Sequence, residues 1–183
     1  MAISVGTYTL GPDIATLTVK TGKTGAASKA GHNLVIEVTA WSATLTAGAE
    51  PADAAIELTA DSRSLRVVEG SGGMGALGDD DKASIKQSID DEVLEGMPIA
   101  FRSTAVSAGE AAGRLHVEGD LELHGRHHPI AFELTLGDDG RVACSATVRQ
   151  SDWGMKPYST LFGTLKVVDE VEVLVSATLQ RGH

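Results

Sequence analysis

The sequence predicts an all-β protein, an antiparallel up-and-down barrel with one helix. Apolar residues fall at every second position over most of the 183 residues, as in strands that bury one face. Short links such as Gly137-Asp-Asp-Gly140 join neighbouring strands, whereas a parallel crossover would need about a dozen residues. One stretch alone has helical spacing. With about eight strands, closing the sheet removes its edges and leaves an interior able to hold one small ligand.

The first half of the chain predicts strands separated by turns and one long loop. Two β-prone pieces between Tyr8 and Thr21 flank Gly11-Pro-Asp13 and predict an opening hairpin. A long strand from His32 to Thr46 and another from Ala54 to Leu65 follow, each with one apolar face. The loop from Glu69 to Gly78 holds five glycines in ten residues, and we expect it to be mobile and to act as a lid.

A single helix, at about residues 79–95, is predicted before Pro98. Asp79-Asp-Asp81 suits a helix N-terminus by capping and by the helix dipole, better than it suits a calcium loop. Ile85, Ile89 and Val93 make an apolar stripe, which Gly96 and Pro98 bring to an end. The alternating pattern then resumes in five segments, which are Ile99 to Ser107, Gly113 to Leu123, Pro129 to Leu136, Val142 to Gln150 and Leu165 to Leu179.

Composition narrows the classes of function. The formal charge of -10 opposes binding to nucleic acid and to anionic lipid headgroups. No apolar run approaches the roughly 20 residues that span a bilayer, so we do not expect a membrane-embedded chain. One cysteine, Cys144, and a start, Met1 to Ser4, without signal-peptide features indicate a cytoplasmic protein of one domain, residues 1–183. Aromatic residues are only 4% of the chain, which leaves few bulky side chains to fill a barrel.

The histidine cluster His124-Gly-Arg-His127-His128 is the sharpest polar motif. Imidazoles are good transition-metal ligands, but a turn between two strands would make these side chains diverge, so we favour a solvated hairpin turn. No Gly-x-Ser-x-Gly elbow and no ordered Ser, His, Asp set is present. Cys144 falls at an alternating apolar position and is interpreted as a buried, inert thiol. The sequence therefore predicts no catalytic residue and no metal site.

Two motifs carry a resemblance to a known family, the YceI-like proteins. Pro98-Ile-Ala-Phe-Arg-Ser-Thr104 is similar to the family's proline, apolar, Phe-Arg-Ser strand after a helix. Gly119-Asp-Leu-Glu-Leu-His-Gly125 with Pro129-Ile130 resembles its Gly-Asp-Leu-Thr signature, which ends in Pro-Val. Ser151-Asp-Trp-Gly154 and the final strand, Asp169-Glu-Val-Glu-Val, support the likeness, which is ordered over most of the chain. The family consists of lipocalin-like barrels associated with polyisoprenoids or other long lipophilic molecules.

The resemblance implies a lipocalin-like barrel that binds or carries a lipophilic, isoprenoid-type small molecule and is not an enzyme. No cofactor is expected beyond such a bound isoprenoid or other long-chain lipid. Strand alternation nominates the lining residues, which are Leu34, Ile36, Val38, Ile56, Leu58, Phe101, Leu115, Val117, Leu121, Leu123, Ile130, Phe132 and Leu134. His32, Trp153 and Tyr158 are the expected contacts at the mouth of the barrel.

Two alternatives stay open at this point. The same apolar residues would also fill a solid barrel, as small eight-stranded barrels do, and the protein would then act through its surface as an interaction module. The weaker alternative is a metal-dependent enzyme that uses the histidine cluster. A homodimer is compatible with the sequence in each case.

Overall fold

The computed structural model describes residues 4–24, 33–71, 77–160 and 165–179. The strands, in chain order, are β1 (Gly6–Leu10), β2 (Ala15–Lys20), β3 (Lys23–Thr24), β4 (Asn33–Val38), β5 (Trp41–Ala47), β6 (Ala55–Ala60), β7 (Leu65–Ser71), β8 (Ile99–Ala108), β9 (Arg114–Leu123), β10 (Arg126–Leu136), β11 (Arg141–Arg149), β12 (Ser159–Thr160), β13 (Leu165–Val167) and β14 (Glu170–Thr178). The helical segments are α1 (Asp79–Ser88), the π-helical turn Ile89–Val93 that continues it, and two 3-10 turns, Pro51–Asp53 and Gln150–Trp153.

The main sheet curls into an antiparallel barrel. Its eleven segments are ordered β1-β5-β6-β8-β9-β10-β11-β14-β2-β4-β7. Three bent strands are each made of two consecutive segments that continue in the same direction, namely β1 with β2, β4 with β5 and β6 with β7. The eleven segments therefore make eight long strands. The last strand, β14, pairs with β2, which continues the first strand, β1. The first and last strands are therefore neighbours, and the barrel is closed. The predicted all-β, up-and-down barrel is confirmed.

The opening hairpin is a wrong prediction. β1 pairs with β5, whereas β2 pairs with β4 and β14, so the two segments do not pair with each other. The carbonyl oxygen of Gly11 accepts hydrogen bonds from the backbone N–H groups of Ile14 and Ala15, which bends the strand without reversing it. Leu10 and Leu17, on either side of the bend, are both buried in the barrel. Pairing with the long strand β4–β5 therefore decides a conformation that the local turn residues leave open.

The predicted helix is confirmed and lies across one end of the barrel. α1 begins at Asp79, and the Asp81 carboxylate accepts the backbone N–H of Gly78 at 3.1 Å. The apolar stripe of Ile85, Ile89 and Val93 packs against the barrel core. In the described part of the chain, no helix is long and apolar enough to cross a membrane. Of the predicted lid loop, residues 69–71 belong to β7, and residues 72–76 lie outside the described residues.

The two ends of the barrel differ in packing. We call the end where α1 connects β7 to β8 the helix end, and the end that carries the β8–β9 and β10–β11 links the loop end. Inward side chains at the loop end are tightly packed, with Val117 fully buried and Leu115, Leu136 and Ala177 nearly so. The helix end is hollow.

The turn between β9 and β10 is shorter than predicted. It consists of His124 and Gly125 alone, both with positive φ (52° and 74°), as in the two-residue turns that suit the twist of a hairpin. Arg126, His127 and His128 belong to β10. His127 and His128 therefore project from opposite faces of the strand.

Candidate ligand-binding cavity

The helix end of the barrel encloses a cavity of about 560 Å³. Side chains of the barrel strands and the apolar stripe of α1 line it, and nearly all of them are apolar. Leu10, Leu45, Leu134 and Val142 are among the lining residues that are almost fully buried. The volume falls within the roughly 300–1,000 Å³ of small-molecule sites.

Most of the predicted lining residues do face the cavity. Those that line it are Leu34, Ile36, Val38, Ile56, Leu58, Phe101, Leu121, Leu123, Ile130, Phe132 and Leu134, together with Tyr158. The two-residue period of the strands placed them on the inner face correctly. His32 lies outside the described residues.

Three predicted contacts lie elsewhere. Leu115 and Val117 face inward but belong to the packed loop end, below the cavity. Trp153 is 1% exposed, and its indole N–H donates to the carbonyl oxygen of Leu121 at 2.8 Å. Its ring packs edge-on against His128, with the ring centroids 5.1 Å apart. Trp153 therefore closes the barrel next to β9 and β10 and is not part of the cavity wall.

The sequence interpretation missed much of the opposite wall. Inward residues of β2, β11 and β14 line the cavity, namely Leu17, Val19, Val142, Cys144, Ala146, Val148, Val171, Val173 and Val175. Their alternation was visible in the sequence and could have found them. Burial raises the pKa of the Cys144 thiol to about 11, so it stays protonated and unreactive at neutral pH. That agrees with its interpretation as an inert thiol.

The two family-like motifs meet on one wall of the barrel. Gly119 of β9 lies under the ring of Phe101 of β8, and a Cβ at position 119 would stand 2.4 Å from the Phe101 Cζ atom. The Phe101 ring packs against Phe132 of β10, with centroids 5.5 Å apart and a tilt of 53°. Glycine is therefore required at position 119 for the aromatic ring to cover that part of the wall.

The third motif joins the same wall. Trp153 holds this segment to β9 through its hydrogen bond to Leu121. The next residue, Gly154, has a φ of 70° and lies against the Arg126 side chain. A Cβ at position 154 would come within 2.7 Å of the guanidinium carbon. The positive φ favours glycine there. The motifs of β8, β9 and the segment after β11 thus form one packed unit beside the cavity.

Histidines and acids pair on the outer face. His127 Nδ1 lies 2.6 Å from Asp120 and its Nε2 lies 3.0 Å from Glu122. The hydrogen bond to Asp120, aided by the charges of both acids, raises the pKa of His127 above its usual range. The hydrogen bond to Glu133 likewise raises the pKa of His116. These groups lie on the side of the sheet that faces away from the cavity.

The imidazoles of the histidine cluster do not converge. His124 pairs with Glu95 at 2.7 Å, His127 with Asp120, and His128 contacts Trp153. Among the described residues, no three His, Cys, Asp or Glu side chains are grouped to hold a metal ion. The metal-dependent alternative thus lacks the geometry on which it depends.

Polar contacts hold the second half of the helical segment that covers the cavity. The Lys86 ammonium donates to the carbonyl oxygen of Arg63 and to Asp90, each at 2.8 Å. Glu95, just after the helical segment, is held by His124. The polar groups that line the cavity near this helix, at its mouth, come from Thr21, Lys23, Ser84, Ser88 and Tyr158.

Together, the closed antiparallel barrel, the helix across one end and the apolar cavity define a lipocalin-like barrel of the binding type. The chain belongs to the YceI-like family, since the sequence pattern of the YceI-like domain matches residues 8–179. The resemblance seen in the sequence is confirmed.

Solved structures share the fold. BcnA of Burkholderia cenocepacia aligns with a TM-score of 0.64 at 14% identity, covering 91% of this chain and 96% of that one. The YCEI protein of Campylobacter jejuni aligns with a TM-score of 0.53 at 13% identity, covering 80% and 85%. A mutant of the latter with a monobromobimane guest aligns to the same extent. A search of curated proteins found no match to the chain.

Proposed function

We propose that this protein binds or carries a lipophilic small molecule, of isoprenoid type, in the barrel cavity. The observation that carries the proposal is the cavity of about 560 Å³ with an almost wholly apolar wall. Transfer of apolar surface from water into such a wall is favourable by roughly 25 cal/mol per Å². An apolar chain would therefore bind with few polar contacts.

The dimensions of the cavity support a chain of moderate length. Liquid water occupies about 30 Å³ per molecule, and a methylene group needs a similar volume. The cavity thus suits an apolar chain of about twenty carbon atoms. The packed loop end forms a floor, so the chain enters from the helix end.

The alternatives have less support. An interaction module with a solid core presupposes a filled interior, and the helix end is hollow. The protonated Cys144 and the scattered histidines favour binding over catalysis.

The compartment and the oligomeric state are separate proposals. The lone thiol suits a reducing compartment, so we propose a cytoplasmic carrier. A homodimer stays a prediction that light scattering would check.

The test is to look for a passenger and then to measure binding. Gentle and denaturing mass spectrometry of the purified protein should show an apolar passenger that solvent extraction removes. The extracted protein should then bind geranylgeraniol, an isoprenoid alcohol of about twenty carbons, with saturation at one molecule per chain in a fluorescence displacement assay.

A matched pair of variants separates the cavity from the surface. Leu121→Asp places a carboxylate in the cavity wall, whereas Val68→Asp places one on the exposed outer side of β7, where Val68 is 43% exposed. We expect only the first to lose binding. The proposal is refuted if the purified chain carries no passenger and geranylgeraniol displaces no fluorescent probe from it. Equal loss of binding in both variants would also refute it.

A further inference from the structure

One polar side chain stands out in the apolar wall. Gln150 is only 6% exposed and lines the cavity. The other buried polar residue of the described chain, Ser62, does not line it. Burying an amide in apolar surroundings is unfavourable unless its hydrogen bonds are made.

The hydrogen bonds of Gln150 are only partly made. It is the first residue of the 3-10 turn after β11, and its backbone N–H donates to the carbonyl of Asp169 at 2.9 Å. In the side chain, Nε2 donates one bond, of 3.3 Å, to the carbonyl oxygen of Val168. A primary amide has two donors and an acceptor. The described residues give no partner to the second N–H or to the amide oxygen.

The other polar groups near the cavity differ from Gln150 in burial or in partners. Ser84 is exposed, and Ser88 donates to the carbonyl of Ser84. The Thr21 hydroxyl accepts the backbone N–H of Leu34. Thr44, Tyr158 and Lys23 are only half-buried, and Lys23 has an interaction partner of its own. Gln150 is the one that combines deep burial with spare hydrogen-bonding capacity.

We propose that Gln150 binds the polar group of the ligand and that this group is a neutral hydroxyl. The inference rests on the proposed function and adds the chemical class of ligand, a lipophilic alcohol. A hydroxyl both donates and accepts, so it matches the free oxygen and N–H of one amide. A carboxylate or phosphate would be stripped of water beside a neutral amide, which is unfavourable.

The test compares ligands that differ only at the hydroxyl. The extracted protein is titrated with geranylgeraniol and with its methyl ether, which cannot donate. A net hydrogen bond corresponds to about three- to tenfold in affinity, and we expect the alcohol to bind tighter by that factor. In Gln150→Met, whose side chain is also unbranched, the two affinities should become equal. Ser62→Ala, which removes the other buried polar side chain, away from the cavity, is the control and should keep the preference.

Each outcome decides a different point. If neither ligand binds the wild-type protein, the proposed function fails. If both bind equally well, or if geranylgeranoic acid binds tighter than the alcohol, only the role of Gln150 and the neutral hydroxyl fail. A preference that survives in Gln150→Met, or that disappears in Ser62→Ala, also overturns the assignment. Because the wild-type comparison stands alone, it decides the question even if a variant folds poorly, which thermal unfolding of each variant would reveal.

Discussion

Replacing Gly119 with alanine should destabilise the barrel through close contacts with Phe101 and Arg102. A Cβ at this position would lie 2.4 Å and 2.5 Å from the Cζ and Cε2 atoms of Phe101, and 2.6 Å from the carbonyl oxygen of Arg102. Ordinary contacts begin near 3.4 Å, so these atoms would have to move by about 1 Å. The ring can rotate towards the cavity, but the Arg102 oxygen belongs to the backbone of β8, which is paired with β9. The strain therefore falls on both the wall and the cavity.

Overpacking of this kind costs about 1–3 kcal/mol in the free energy of unfolding. For a chain of this length, each kcal/mol lowers the melting temperature by about 2–4 °C. Urea unfolding and thermal melting would measure the effect. Gly11→Ala is the control, because a Cβ there meets only the Trp41 carbonyl at an ordinary 3.4 Å.

A second substitution tests the mechanism. Phe101→Leu removes the ring atoms that the new methyl group meets, so the combined Gly119→Ala, Phe101→Leu protein should be more stable than the sum of the single effects indicates. Contacting residues show coupling of about 0.5–3 kcal/mol. Additive effects, or a Gly119→Ala protein as stable as the wild type, would refute the packing argument.

Three other substitutions test the wall and the outer face. Leu121→Asp should abolish ligand binding and cost about 3–5 kcal/mol, because an unpaired carboxylate would be buried; normal urea unfolding with intact binding would show that Leu121 does not face the cavity. Trp153→Phe removes the hydrogen bond to the Leu121 carbonyl and should cost about 1–3 kcal/mol in the free energy of unfolding. Trp41→Phe should cost less, because the buried Trp41 indole N–H has no partner among the described residues. A larger loss of stability for Trp41→Phe in urea unfolding would contradict this. The raised pKa of His127 means that its pairing with Asp120 stabilises the fold fully below pH 6.5, the usual value, and that this stabilisation is lost as the pH rises through the folded-state pKa. His127→Gln should therefore lower the melting temperature in acid but not at alkaline pH, and a uniform loss at all pH values would rule out the pairing.

The inner faces of the strands were predictable because alternation is local. Leu34 and Ile36, or Ile130 and Phe132, are two residues apart, and a strand places such residues on one side whatever it pairs with. The helix was predictable for a similar reason, since the acids at its start and the stripe of Ile89 and its neighbours are contiguous in the chain.

Depth within the barrel was not predictable from alternation. Leu115 and Leu121 have the same parity on β9, yet only Leu121 reaches the cavity. Leu121 lies near the helix end of β9, whereas Leu115 lies near the other end of the strand, where the inward side chains are packed. Trp153 was expected at the mouth, but its bond to the Leu121 carbonyl draws it into the barrel wall.

The sequence by itself determined the class of fold, the single helix and the side of each strand that turns inward, because these follow from spacings of a few residues. The tertiary structure decided that Gly11 marks a bend and not a hairpin, that the loop end is packed while the helix end is hollow, and that Gln150 is the buried polar group in the wall. A cavity is the space left between side chains of strands far apart in the chain. Its existence therefore depends on how those strands are brought together, which no local spacing specifies.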